Sequence, residues 1–435
     1  EKSEQNILEG IRTVESTAGR ILYSEAADHV ESLGKYLDDC DAVKEWDVAG
    51  SFRRCKETIG DLDVLIQADD RSEATEQILE YGAISEVDSR GEERVTVRLE
   101  SGLQVDFRFF QPKSFGAAMM YFTGSKDHNI AVRKRAVERD WKLNEYGLFK
   151  DDELLAGKDE ESVYSRLNMS WVPPEMREDR GEVEAAEEDR LPDLIEPADI
   201  RGDLQTHTNV TDGNNTIEEM AEAAAAMGYE YLALTDHSQQ VSVANGLDED
   251  GARRHAENIR AVNESTDDLW LMAGIEVDVL KDRSLDLSED VLAELDWVMA
   301  SIHYNLNQSA EEITERLLAA VRSGVVHCLA HPLNRILGKR DPLAFDTEKV
   351  FEACRENNVW VEINSQPDRL DLPDTYCQQA LEIGVNFTIS TDAHDKNNLD
   401  FIRYGVGAAR RGWLTAGDVL NTLPVDDLKE KIQRD

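Results

Sequence analysis

Asp61 and Asp63, in the run GDLDVLI, stand two residues apart, so on a strand both carboxylates point to one face. Two adjacent carboxylates repel each other unless a divalent cation lies between them. Asp106, in LQVDFRF, sits on a second strand-like run with apolar neighbours on both sides and would complete a three-carboxylate cup. Such a cup suits phosphoryl transfer with two metal ions, one activating the attacking oxygen and the other steadying the leaving phosphate. Just ahead, GSFRR (50–54) offers Gly50 and Ser51 as a tight turn exposing backbone N–H groups, with Arg54 placed to neutralise a phosphate. A lone DxD pair is more often a surface feature. The glycine–serine turn at this spacing makes it a nucleotidyltransferase signature, which does not name a substrate.

A second set of ligands lies in the other half of the chain. Five of the nine histidines fall at the ends of predicted strands: His207 (DLQTHT), His237 (LTDH), His303 (SIH), His331 (LAHP) and His394 (STDAH). Glu276 (GIEV) and Asp392 (STDAH) occupy equivalent places, and Asp212 follows the first of these strands. Singly, each histidine reads as an ordinary core or surface residue; jointly, the recurrence at strand ends does not. Imidazole and carboxylate together suit zinc, manganese or iron. Eight ligands are too many for one ion, so two or three are implied, a set able to activate water and clamp a phosphate. His255, expected on an exposed helix, His327 in mid-strand, and His29 and His128 keep the structural reading.

Scaffolds must set these side chains together. Around the carboxylates run WDVAGSF (46–52), LDVLIQA (62–68), RVTVRLE (94–100) and LQVDFRF (103–109), then a helical stretch from about 114 to 140. Residues 3–40 have helical spacing, as in Ile7, Ile11, Val14 and Ala18. In the second half, seven apolar strands alternate with amphipathic helices: DLQTHT, YLALTDH, LWLMAGIEV, DWVMASIH, VVHCLAHP, VWVEINS and NFTISTDAH. Repeated βα units imply parallel strands covered by helices. Seven in one domain imply barrel-like closure, with the strand C-termini converging at one mouth. Between the halves, residues 173–199 hold four prolines and eleven acids against three arginines, a solvated linker by composition. The expected architecture is multidomain, α+β followed by α/β. A helical region covers 1–45, a mixed strand-and-helix region with the nucleotidyltransferase signature 46–172, the linker 173–199, and a barrel-like domain with the metal-ligand set 200–435.

Ninety acidic residues face forty-seven basic ones, a formal charge of −43. Such a surface repels polyanions at ordinary salt. At about 1 M salt the Debye length is only about 3 Å, and repulsion becomes short-ranged. The acids are spread along the whole chain among regular apolar patterns, so the composition points to a salt-loving organism. The basic run RKRAVERDWK (133–142) stands out, either as a solvated helix face or as a phosphate-tracking patch. No apolar run approaches the roughly 18 residues of a membrane span. The five widely spaced cysteines include no CxxC pair, which suits a reducing cytoplasm.

The stretch GSFRRCKETIGDLDVLI resembles the palm of family X DNA polymerases, the polymerase beta group. VDFR resembles that family's third carboxylate segment, and YFTGS (121–125) and NEYGL (144–148) its nucleotide-pocket and closing segments. The resemblance implies that Asp61, Asp63 and Asp106 hold catalytic Mg2+ or Mn2+. Ser51, Arg54 and Gly60, with Gly50, would lie by the triphosphate; Tyr121, Phe122 and Gly124 would border the sugar, and Asn129 the base. Arg133 would touch the template, and Arg108 would pair with Glu145 on closure. Lys126 stands where many relatives carry an acid, which puts that base contact in doubt. The second half, 200–435, is similar to the polymerase-and-histidinol-phosphatase (PHP) domain. There the first motif usually reads His-x-His, whereas here Gln205 precedes His207, offering a neutral, weaker ligand at one metal position. The combination is that of the bacterial and archaeal PolX type, where the PHP domain is associated with Mn2+-dependent 3′→5′ exonuclease and 3′-end cleaning.

The opening EKSEQNILEGI resembles the later part of a helix–hairpin–helix unit, and the chain lacks an initial Met, so an N-terminal truncation is expected. The implied partners are gapped or primer–template DNA and deoxynucleoside triphosphates, acting on a cytoplasmic monomer, with no membrane. Two other readings compete: a small-molecule phosphatase carrying a degenerate polymerase core, and a non-catalytic scaffold for DNA ends.

Overall fold

The computed structural model describes residues 19–266 and 268–434. The segment resembling a helix–hairpin–helix and the repeat Ile7, Ile11, Val14 and Ala18 lie outside them. The chain divides into two units, Glu1–Pro192 and Asp193–Asp435. Among the described residues no helix is long and apolar enough to cross a membrane.

In the first unit, a short antiparallel pair joins β1 (Ile21–Leu22) to β3 (Thr58–Ile59). A five-stranded sheet holds β2 (Val43–Val48), β4 (Asp61–Ala68), β5 (Ile84–Arg90), β6 (Arg94–Leu99) and β7 (Gln104–Phe109) in the order β2-β4-β7-β6-β5. Period-2 alternation explains β4. Leu62, Val64 and Ile66 are fully buried in a core with Val105, Phe107 and helices Tyr23–Asp38 and Arg71–Leu79. The opposite face carries Asp61, Asp63 and Leu65, and Leu65 packs on Phe115, Ala118 and Met119 of helix Phe115–Thr123. β4 and β7 run parallel, and their register places Asp63 directly opposite Asp106.

The run 46–52 is strand only to Val48, because Gly50 takes φ +68° and Gly50–Arg53 coils into one helical turn. The helix expected over 114–140 is two, Phe115–Thr123 and Lys126–Val137. They are broken at Gly124 (φ +71°) and restarted by Ser125, whose hydroxyl accepts from the His128 amide. β5 escaped notice because six of its seven residues are exposed and no apolar alternation marks it. The small antiparallel sheet of β8 (Lys142–Asn144), β9 (Gly147–Lys150) and β10 (Glu153–Ala156) was also missed.

Residues 173–199 are not a solvated linker; most of the stretch packs into the first unit. Arg177 and Glu182 are fully buried. Arg177 makes a two-pronged contact with Glu160 (2.7 and 3.1 Å), which Arg53 also grips (2.9 Å twice). Glu182 lies 2.6 Å from His128 Nδ1 and accepts from the amides of Asp179 and Arg180. The composition misled because Glu178 has Arg54, Glu182 has His128, and Glu184 and Glu187 have Arg135 as partners, which a charge count does not register.

The second unit is a parallel seven-stranded sheet in sequence order. Its strands are β11 (Gly202–Thr206), β12 (Tyr231–Leu234), β13 (Trp270–Asp278), β14 (Trp297–Ser301), β15 (Cys328–Leu329), β16 (Trp360–Asn364) and β17 (Phe387–Ser390). Nearly every strand residue is buried, as expected of strands covered on both faces. Outward Leu232, Ile275, Val298, Val361 and Ile389 pack under helices. Inward Leu204, Met272, Trp297, Met299 and Trp360 fill the interior with Leu428 and Ile432 of helix Val425–Ile432. The last strand returns to the first and nearly closes a barrel. His207 N donates to Ala393 O (2.8 Å), Thr391 N donates to Asp203 Oδ1 (3.1 Å), and Asn421 Nδ2 donates to both Gly202 O and Ile389 O (2.8 Å).

Candidate metal centres

The first centre is built on the β4–β7 register. Asp63 and Asp106 face each other across the two strands, and Asp61, two residues before Asp63, shares that face at the exposed end of β4. Thr96 from β6 donates to Asp106 Oδ1 (2.6 Å). Burial pushes the Asp63 carboxyl up, and Asp61 and Asp106 push it the same way; Arg108 opposes them. The pairing of Arg108 with Glu145 is expected of the closed site; in this structure Arg108 is held by the carboxylates. Its Nε donates to Asp63 Oδ1 (3.0 Å) and its Nη2 to Asp106 Oδ2 (2.9 Å), while its guanidinium lies 4.4 Å above the Phe122 ring. Two residues beyond Asp106, Arg108 shares its face, and facing carboxylates draw in the nearest cation. Two carboxylates in register, with Asp61 two residues along the same face, offer the oxygen donors that divalent cations take, and Arg108 holds Asp63 and Asp106 here.

Gly50 stands over this centre, since a Cβ there would meet Asp63 Oδ2 at 3.0 Å. Arg54 Nη1 donates to the Thr123 carbonyl and its Nε to Glu178 (3.2 Å), tying the Gly50–Ser51 turn to the 121–125 segment. A Cβ on Gly124 would lie 3.2 Å from Arg54 Nη1, and one on Gly60 would lie 2.9 Å from Arg20 Nη1, a cation the sequence reading did not single out. Tyr121, Asn129 and Arg133 line one narrow depression, and Asn129 Nδ2 donates to Tyr121 O (2.6 Å). Of the basic run 133–142, Arg135 is taken up by Glu184 and Glu187 and Arg139 by backbone carbonyls. Arg133 and Lys134 are left exposed.

The second centre lies where the barrel strands end. Glu276 is its hub: Oε2 lies 3.2 Å from His237 Nδ1 and 3.6 Å from His207 Nε2, and Oε1 lies 3.0 Å from His331 Nε2 and 3.4 Å from His303 Nε2. Asp392 Oδ1 lies 3.0 Å from His207 Nε2. Asp212 Oδ2 lies 3.4 Å from both His237 Nε2 and His394 Nε2. Three overlapping groups could each hold an ion: His207, Asp212, His237 and His394; His237, Glu276 and His303; and His207, Glu276 and Asp392. Burial alone would depress the His237 and His394 imidazoles. Glu276 and Asp212 beside His237, and Asp212 and Asp392 beside His394, outweigh it and hold both up to about 9.

The donor set fits resident metal ions. Both ring nitrogens of His207, both oxygens of Glu276, and Nδ1 of His237 and His331 are buried yet lack a hydrogen-bond partner, although their neighbours are close. Ligand atoms within 4.8 Å of one another, several of them without a hydrogen-bond partner, suit coordination; left unmet they would be costly. Gln205, two residues before His207 on the same strand, is fully buried, and neither polar atom of its amide has a partner. His331 (φ +26°) and Asp392 (φ +53°) hold left-handed backbone, a conformation of order 1–3 kcal/mol that persists where surroundings over-determine it.

Several supporting residues were missed. Asp278 lies 2.9 Å from His303 Nδ1 and accepts from its amide (3.1 Å). Asp236 accepts from Thr208 and Thr211 and lies 2.7 Å from His255 Nε2, so His255 is buried on its helix rather than exposed as expected. Glu362 accepts from the His331 amide (2.7 Å), and Asn364 donates to Asp392 Oδ2 (3.1 Å). The available signal was polar residues two apart in otherwise apolar strands: Glu276 with Asp278, and Glu362 with Asn364. His327 stacks on Trp297 at 5.1 Å and keeps a structural role.

Family models match three segments: DNA polymerase beta palm (residues 20–108), DNA polymerase beta thumb (118–178) and PHP domain (203–366). A Bacillus subtilis protein named DNA polymerase/3′-5′ exonuclease PolX is 37% identical over 437 aligned residues, spanning all of this chain and 76% of that protein. Proteins named probable phosphatase match the second half only. One from a Thermoanaerobacter species is 27% identical over 53% of this chain and 94% of its own length. Another, from Acetivibrio thermocellus, is 33% identical over 44% and 78% respectively. With a polymerase beta palm and thumb followed by a PHP domain, and a full-length relative at this identity, the chain belongs to the PolX group of family X DNA polymerases.

Proposed function

We propose that the chain extends DNA 3′ ends at gaps through the carboxylate centre and removes nucleotides from 3′ ends at the barrel mouth. The observation that carries the first activity is the register of Asp63 opposite Asp106, with Asp61 on the same face and Gly50 packed against Asp63. In extension, the primer 3′-oxygen bonds to the α-phosphorus of a deoxynucleoside triphosphate and the bond to the β-phosphate breaks, releasing pyrophosphate. Asp61, Asp63 and Asp106 would hold Mg2+ or Mn2+, which when bound neutralise the charge that develops on phosphate oxygens. Ser51, Arg54 and Gly60 would receive the triphosphate, Tyr121, Phe122 and Gly124 the sugar, Asn129 the base, and Arg133 the template.

At the second centre, water oxygen bonds to phosphorus and the bond to the neighbouring 3′-oxygen breaks, releasing a nucleoside monophosphate. Gln205, His207, Asp212, His237, Glu276, His303, His331, Asp392 and His394 would hold two or three Mn2+, Zn2+ or iron ions. Glu276, touching four imidazoles, would be shared between them. The phosphatase-only reading finds support in relatives that match just the second half, but it gives the ordered triad no task.

Primer extension on gapped DNA with Mg2+ or Mn2+ in molar KCl tests the proposal. Extension is expected from the wild type and not from Asp61→Ala; equal extension by that variant refutes the polymerase assignment. His303→Ala and Asp392→Ala are expected to lose Mn2+-dependent release of 3′ nucleotides while extension survives. Release that persists unchanged in both variants refutes the nuclease assignment.

A further inference from the structure

The loops that follow β15 and β16 carry arginines to the same end of the barrel as the ligand cluster. Arg340 Nε donates to Asn334 O (2.7 Å) and its Nη2 to Asn334 Oδ1 (2.5 Å). Arg369, from the next loop, donates through Nη1 to the same amide oxygen (3.3 Å), and its Nε lies 3.8 Å from Asp392 Oδ2. Asn334 is buried, and its amide nitrogen donates to Ile302 O (2.6 Å). Gln366 fastens the Arg369 loop to the segment just after the last strand through Thr391 O (2.9 Å) and Asp392 O (2.7 Å).

Two like charges therefore converge on one neutral oxygen. Among the described residues Arg340 has no carboxylate at ion-pair distance and Arg369 has only Asp392, with Asp368 and Asp371 acting on Arg340 from farther away. That is unusual in this chain, where acids outnumber bases ninety to forty-seven and Arg90, Arg98 and Arg253 each hold a carboxylate. A guanidinium has five N–H donors in a planar fork suited to phosphate oxygens. Arg340 Nη1 and Arg369 Nη2 make no hydrogen bond among the described residues.

We propose that Arg340 and Arg369 form a phosphate subsite that grips the phosphodiester of the strand end presented for cleavage, with Asn334 setting the spacing of the two forks. The proposal rests on the nuclease reading above. The subsite explains how a strongly acidic protein holds a polyanion beside a carboxylate-rich centre: Arg369 stands 3.8 Å from Asp392, and Arg340 is joined to it through Asn334. Neither arginine is assigned chemistry; both position the strand.

The test uses the full chain loaded with Mn2+, as wild type, Arg340→Gln, Arg369→Gln and Arg369→Lys. Three quantities are measured: the Kd of inorganic phosphate by titration calorimetry, bound Mn2+ by metal analysis, and KM and kcat for nucleotide release from a single-stranded oligonucleotide. Each Gln variant is expected to weaken phosphate about tenfold and raise KM similarly. Bound Mn2+, kcat and primer extension should stay unchanged, with Arg369→Lys intermediate. Unchanged phosphate affinity and KM in both Gln variants overturn the subsite, as does a loss of Mn2+ that parallels the loss of phosphate, which marks a structural brace. Arginine-dependent phosphate binding by a wild type that releases no nucleotides sinks the nuclease reading and leaves the subsite standing.

Discussion

Asp278 Oδ2 lies 2.9 Å from His303 Nδ1, and this contact turns the far ring nitrogen toward Glu276, 3.4 Å away. A carboxylate behind a ligating imidazole fixes its tautomer and raises its basicity. Asp278→Asn keeps an oxygen but removes the charge. It is expected to weaken Mn2+ binding about 10- to 100-fold by calorimetric titration while primer extension is unaffected. Equal affinity in variant and wild type would mean that His303 needs no such orientation.

Gly50 is irreplaceable for two reasons that act together. Its φ of +68° disfavours any L side chain, and an added Cβ would press on Asp63 Oδ2 at 3.0 Å. Gly50→Ala should lower stability by roughly 1–2 kcal/mol. It should also slow nucleotide incorporation on the order of a hundredfold, because small displacements of a reacting group are costly. Release of 3′ nucleotides should be untouched. Steady-state incorporation rates decide the matter.

Glu160 links pH to the stability of the first unit. Burial would raise its carboxyl, but Arg177 and Arg53 hold it well below the ordinary 4.5. A depressed folded pKa means that the stabilisation is present above about pH 4.5 and is lost as pH falls below it. Denaturant unfolding of the wild type should therefore show a stability loss below this pH that Glu160→Gln lacks. At neutral pH that variant should be less stable by about 3–5 kcal/mol, since Arg177 would remain buried without its partner.

Added KCl should raise the melting temperature up to molar concentration. With a net charge of −43, the folded surface repels itself, and cutting the Debye length from about 8 Å to about 3 Å relieves most of that repulsion. A melting temperature that falls steadily with KCl would show that the acids are already compensated locally.

The barrel was legible because its signal is redundant. Each of the seven apolar runs holds an observed strand, and the ligands recur at strand ends, so errors of a residue or two did no harm. The shared face of Asp61 and Asp63 was legible because strand parity alone fixes it. What stayed hidden depends on partners distant in sequence. Glu178 and Glu182 read as solvated until Arg54 and His128 are seen against them. Arg108 could be matched to Asp63 only once β7 was known to lie beside β4 in that register. His255 looked exposed because helical spacing alone does not reveal that Asp236 waits beneath it.

The seam between β11 and β17 sets a timetable for biosynthesis. Asp203 bonds Thr391 across 188 residues, and Asn421 stitches the same two strands from still later in the chain. Because chains emerge from the ribosome N-terminus first, residues 61–106 are exposed long before Asp392 and His394 exist. A nascent chain can thus bring Asp61, Asp63 and Asp106 together well before the barrel can gather Asp392 and His394, and a ribosome that stalls before residue 390 leaves the candidate metal centre at the barrel mouth unfinished.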